Sequence, residues 1–230
     1  MTVCAIHQPH YLPWLRYFDK IARADVFVVL DSIQYNKNGW QNRNKIKSAD
    51  GALLLTVPVH APLGCTLDAV TIDDTQPWRK KHWAAIQQNY RRAPYFAAHA
   101  PFLESVYARA WTSLNELNRH MLEYWVRALG IPTRVAYSSE LGATGAATDR
   151  LVGLLRAVGA DTYYSGAYAL DRYLDAAALE RAGIGLKLQE WRAPEYPQFH
   201  PPFVSDLSIA DLLLHCGPQS LDVLLGNGAQ

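Results

Sequence analysis

Two short apolar runs that open straight into polar residues constrain this chain more than any other feature. Val3-Cys4-Ala5-Ile6 leads into His7-Gln8-Pro9-His10-Tyr11-Leu12-Pro13-Trp14, and Val26-Phe27-Val28-Val29-Leu30 ends in Asp31. Beyond Asp31 lies an amide-rich, basic stretch from Gln34 and Tyr35 through Lys37, Asn42, Arg43 and Asn44 to Lys45. Strands that release polar side chains at their C-terminal ends are what an open α/β sheet uses to build a ligand site. That is more side-chain chemistry than a structural turn needs.

Between the two runs, Leu15, Phe18 and Ile21 recur at helical spacing, with Arg16, Asp19, Lys20 and Arg23 on the other side. Pro13 suits the first turn of that helix, where its missing N–H is no loss. His7 to Tyr11 then forms a strand-to-helix loop whose backbone N–H groups can face a ligand. Further strands are predicted over 53–59, 70–72, 132–137, 162–165 and 186–191. Helices are predicted over 76–90, in one or two pieces from Pro101 to Leu129, then over 149–158, 170–182 and 208–216, the last with Ser208 as N-cap. The alternation predicts a single α/β domain over 1–230, Rossmann-like, with a largely parallel sheet flanked by helices and a helical insertion or subdomain near 76–130. Residues 3–6, 26–30 and 162–164 are expected to be neighbouring parallel strands.

Lys plus Arg number 22 and Asp plus Glu 21, which leaves no global field for nucleic acid or a membrane surface. No run approaches the roughly 18 apolar residues a spanning helix needs, and no basic stretch precedes the first apolar run as a signal peptide requires. Cys4, Cys65 and Cys216 are odd in number and far apart, so no disulfide framework is expected and the expected compartment is cytoplasmic. No Cys-x-x-Cys pair is present, so no metal site is expected. Without a Gly-x-Gly-x-x-Gly or Walker-type loop, neither dinucleotide nor P-loop binding has support, and the sequence names no cofactor. It leaves the oligomeric state open.

His7, where the first strand ends, is the candidate general base, an imidazole being able to take a proton near neutral pH; the alternative is a histidine that only bonds its loop. Asp31 is the second catalytic candidate, to orient a histidine or bind a hydroxyl, or else to cap the next turn. The substrate-binding candidates are Gln8, His10, Tyr11, Gln34, Tyr35, Lys37, Asn42, Arg43, Asn44, Ser165 and Gly166. Arg43 offers two parallel N–H bonds to an anionic group, and the asparagines add directional donors and acceptors. Gly166 lets a ligand approach the backbone, although a tight turn needs glycine too. Arg150 is a further phosphate candidate, and Gln189, Glu190, Tyr196 and Gln198 are candidates for a far wall. His7, Asp31 and residues 37–45 are expected to surround one crevice.

Taken together, His7-Gln-Pro-His-Tyr-Leu-Pro-Trp, Ala24-Asp25, Leu30-Asp31, Gly39-Trp40 and Asn42-Arg43-Asn44 resemble the WbqC-like family of bacterial polysaccharide and natural-product gene sets. So do Ser138-Ser139-Glu140-Leu141, Asp149-Arg150-Leu151, Gly159-Ala160-Asp161-Thr162, Tyr173-Leu174-Asp175 and Leu207-Ser208-Ile209 with Asp211. The resemblance implies a biosynthetic setting. The opening order of strand, loop, Pro-containing helix and second strand is also similar to nucleotidyltransferases and pantothenate synthetases that carry a His-x-Gly-His loop. Here Tyr11-Leu12-Pro13-Trp14 stands at that helix start instead.

Three functions follow as expectations. The first is a metal-independent transferase that moves an acyl or aminoacyl group onto an amine or hydroxyl of a sugar or small metabolite. Its partners would be a small-molecule or nucleotide-sugar substrate, with an acyl-thioester among the candidate donors. The second is an ATP-dependent ligase or nucleotidyltransferase-like enzyme. The third is a non-catalytic sugar- or nucleotide-sugar-binding protein, for which Trp and Tyr would serve as stacking surfaces.

Overall fold

The computed structural model describes residues 1–170 and 174–227. In chain order its elements are β1 (Val3–His7), α1 (Leu15–Ala22), β2 (Val26–Val29), β3 (Arg43–Ser48), β4 (Gly51–Thr56), β5 (Val59–His60) and β6 (Thr71–Ile72). There follow α2 (Trp78–Tyr90), α3 (Phe96–Ala108), α4 (Leu114–Ala128), β7 (Arg134–Tyr137), α5 (Ala147–Ala157), β8 (Thr162–Gly166), α6 (Ala176–Arg181), β9 (Gly185–Gln189), α7 (Ile209–Cys216) and α8 (Ser220–Leu225). Residues 171–173 of the helix expected over 170–182, Tyr173 among them, lie outside the described residues; Leu170, Leu174 and Asp175 are not helical, and the helix is the shorter α6, with Asp175 accepting from Ala178 N at its N-cap. Two compact units make up the chain.

The first unit comprises residues 1–8, 19–33 and 131–192. Its five strands lie in the order β7-β2-β1-β8-β9, every neighbouring pair parallel. Numbered among themselves along the chain, these strands run 3-2-1-4-5, the Rossmann order. The expected pairing of 3–6 with 26–30 and 162–164 is therefore observed. Period-two alternation sets the two faces: Cys4, Ile6, Val26, Val28 and Tyr163 pack with Leu151, Leu154 and Leu155 of α5 and Leu179 of α6. Ala5, Phe27 and Tyr164 consequently face the other way, as does His7. Two aspartates pin the strand starts: Asp25 Oδ2 accepts from Val3 N at 2.8 Å and Asp161 Oδ2 from Thr2 N at 3.0 Å. The motif residues Ala24-Asp25 and Asp161 thus do structural work at the far end of the sheet from His7.

The second unit comprises residues 9–18, 34–130 and 193–230. The strand expected over 53–59 is not a member of the parallel sheet: β4 pairs antiparallel with β3 as a hairpin around 48–51, and the short strand near 70–72 pairs antiparallel with β5, with Thr71 also bridging to Ser113. Alternation alone marks a strand and carries no information on which sheet receives it. The helical stretch 76–130 is α2, α3 and α4; Pro101 sits inside α3 and does not begin it. Pro13 precedes α1, because Trp14 bridges to Ser208 and the Pro13 carbonyl accepts from Ile209 N, which holds these residues extended. Ser208 caps α7 as expected. No helix among the described residues is long and apolar enough to cross a membrane.

Candidate functional site

In a sheet of order 3-2-1-4-5 the crevice opens between the first and fourth strands, where successive connections leave to opposite faces. Here those strands are β1 and β8. Their register, Ala5 opposite Tyr164, carried two residues on, sets His7 level with Gly166. His7 Nδ1 lies 3.1 Å from the Gln8 carbonyl oxygen. A carbonyl can only accept, so Nδ1 carries a proton; in the neutral imidazole the lone pair then lies on Nε2, the tautomer a general base needs.

Lys20 reaches the same place. Its Nζ lies 3.8 Å from where a Cβ on Gly166 would stand, and the residue is 7% exposed. Helical spacing sets Asp19 and Lys20 on the solvent side of α1, whereas the structure buries both: Asp19 is 2% exposed, its carboxylate accepting from Arg23 Nε at 2.6 Å and from Gln189 Nε2 at 2.7 Å. Burial demands that such a charge be paired, and the partners sit one turn on and at the end of β9. The only sequence signal for a buried Lys20 was its i+3 spacing from Tyr17, which is buried too.

At the neighbouring strand ends, Asp31 is a fastening. Ser138 Oγ donates to its Oδ1 at 2.9 Å, Ser139 N to the same oxygen at 2.9 Å, and Ser139 Oγ to Oδ2 at 2.7 Å. Leu30-Asp31 and Ser138-Ser139, separate motifs in the sequence, are two halves of one hydrogen-bonded unit. Arg150 completes it, donating from Nη2 to the Ser32 carbonyl and hydroxyl, both at 2.6 Å. Ser165 lies on the α5 face, buried, its hydroxyl turned to the Gly166 carbonyl.

The remaining candidates belong to the second unit. His10 is buried, its ring against Trp14 and Tyr17. Tyr11 is fully buried, its hydroxyl 2.9 Å from His82 Nδ1 and 2.6 Å from the Tyr107 hydroxyl, and its backbone N–H donates to the Trp40 carbonyl. That N–H therefore does not face a ligand. Asn42 donates to the Val57 carbonyl, Asn44 accepts from Lys45 N, and both are buried. Arg43 is half-buried and donates to Asn38 Oδ1, while Gln34 and Lys37 are exposed and Tyr35 is half-buried.

Two features of this unit went unread in the sequence. Lys47, 1% exposed, donates its ammonium to the Pro202 carbonyl. Asp211, fully buried, accepts from the hydroxyls of Tyr90 and Tyr196, each at 2.7 Å, and from Gln198 Nε2 at 2.8 Å. Gln198 and Tyr196 thus serve this buried carboxylate. No group of three or more His, Cys, Asp or Glu among the described residues is placed to hold a metal ion.

A model of the WbqC-like protein family matches residues 8–223. The chain is 36% identical to uncharacterized protein Rv1507c of Mycobacterium tuberculosis, over 97% of this chain and 98% of that protein. No solved structure matches the chain.

Proposed function

We propose, for a chain that belongs to the WbqC-like protein family, that it is a biosynthetic transferase moving an acyl or aminoacyl group onto an amine or hydroxyl of a sugar or small metabolite. The observation that carries this reading is His7 at the sheet's switch point with its Nδ1 proton on the Gln8 carbonyl. In the proposed step the acceptor's N–H or O–H lies against Nε2, which takes the proton as the nitrogen or oxygen bonds to the donor's acyl carbon. The oxyanion that develops is stabilised by the Lys20 ammonium beside Gly166, where no side chain stands in the way. The intermediate then collapses, and the donor's leaving group, a thiolate if the donor is a thioester, departs with its bonding electrons. Asp31 acts as a positioning residue through Ser138 and Ser139. Three free thiols support a cytoplasmic location.

The test pairs binding with turnover. Acetyl-coenzyme A, ATP and UDP-glucose are each titrated against thermal stability. A ligand at 100 times its dissociation constant stabilises by about 2.7 kcal/mol. Stabilisation by the thioester, and acyl transfer to an amino sugar that His7→Ala loses, is the expected result. Stabilisation by ATP alone would turn the reading to a ligase or nucleotidyltransferase.

A further inference from the structure

Between the first half of α2 and the end of α3, within the second unit, lies an open groove of about 460 Å³. One wall is Trp83, a half-buried indole that lies nearly parallel to Phe96 and Tyr107, at interplanar angles of 14° and 21° and centroid distances of 6.1 and 6.3 Å. These two rings hold the indole in one orientation, so the platform is formed before anything binds. The rim is a fixed plane of polar atoms. Arg79 Nε and Nη2 donate to the two oxygens of Asp74 at 3.0 and 2.8 Å, and Nη1 donates to the Ala108 carbonyl at 3.1 Å. Those three bonds leave two guanidinium N–H groups and one lone pair or more on each Asp74 oxygen. Donors and acceptors therefore stand side by side in one plane.

The geometry points to a binding site for a neutral saccharide unit. Vicinal hydroxyls donate and accept at once, which matches the Arg79–Asp74 plane, and the apolar C–H face of a sugar ring covers an aromatic platform. Net charge decides against an anion: Arg79 and Lys80 on the lining are balanced by Asp74 and Glu104, so a phosphate would meet two carboxylates. The site is built only from residues of the second unit and goes beyond the transferase reading.

Saturation-transfer NMR and tryptophan fluorescence on the whole chain, with cellobiose, maltose and N-acetyllactosamine as neutral probes and glucose 1-phosphate and AMP as anionic ones, test it. Saturable binding of at least one neutral disaccharide is expected, weakened tenfold or more by Trp83→Ala and by Asp74→Ala and unchanged by His7→Ala. The Asp74 variant alters only a part-exposed pair, so it reports even if Trp83→Ala folds poorly. No saturable binding to any neutral probe, binding equal in both variants, or preference for the phosphates would overturn the assignment. Loss of transfer activity alone would bear on His7 and leave this site standing.

Discussion

His7 and Asp31 end adjacent strands, yet their surroundings assign them different work. Asp31 has three donors on its two oxygens, whereas His7 holds its Nδ1 proton on the Gln8 carbonyl, and the proposed base is its Nε2. The two variants should separate accordingly. His7→Ala is expected to lower turnover by roughly 100- to 10,000-fold and stability by less than about 1 kcal/mol, since β1 is held by its ladders. Asp31→Ala should cost about 1–3 kcal/mol, because it strands the Ser139 N–H and hydroxyl, while Ser138 Oγ keeps Ser32 Oγ at 2.7 Å. Denaturant unfolding alongside a transfer assay measures both effects. Near-normal turnover in His7→Ala, with an identified substrate, would end the general-base reading. Lys20 adds a third contrast: Lys20→Met keeps the length and loses the charge, and should lower kcat with little change in KM if the ammonium serves the oxyanion alone.

At the scale of elements, the end of α7 shows how one residue sets a helix terminus. Gly217 has φ +51°, a conformation L side chains rarely adopt, and a Cβ there would lie 2.4 Å from the Tyr95 ring. Tyr95 itself donates its N–H to the Leu214 carbonyl, so it cannot retreat without releasing the α7 end. Gly217→Ala is therefore expected to cost about 2–5 kcal/mol, backbone strain and overlap together. A thermal melt reads this directly. A loss below about 1 kcal/mol would show that Tyr95 swings aside. In the first unit, the same scale explains α5: Leu151, Leu154 and Leu155 cover Cys4, Ile6 and Tyr163, and Leu154→Ala should cost about 2–5 kcal/mol by opening a cavity.

At the scale of the molecule, buried titratable groups give stability a pH dependence of two signs. Burial pushes His82 down from its ordinary 6.5 to about 4, against the raising effect of a ring N–H donated to the Thr56 backbone. Between those values the unfolded chain binds a proton that the folded one refuses, so stability is full above pH 6.5 and falls as pH drops toward 4, by about 3 kcal/mol in all. His82→Gln should flatten that slope in urea titrations of the second unit taken at several pH values. Burial raises Asp211, against the lowering bonds from Tyr196 and Tyr90, so its contribution is present at low pH and lost as pH rises through the folded value; Asp211→Asn should remove that opposite slope. The sequence alone determined that the chain forms strands at 3–6, 26–30 and 162–165 with helices between, because apolar periodicity and punctuation by glycine and polar residues are local properties. It also determined that His7 stands at a strand end, since a run of apolar residues marks where the sheet stops. The neighbouring parallel pairing of those three strands was legible too; only the tertiary structure decided that 53–56 pairs as a hairpin outside that sheet. It alone put Lys20 beside Gly166, buried Asp19 against Gln189, and joined Asp31 to Ser138 and Ser139. Those are pairings across as many as 170 residues of chain, set by register and by the need of each buried charge for partners, and neither is written in any window of neighbouring residues.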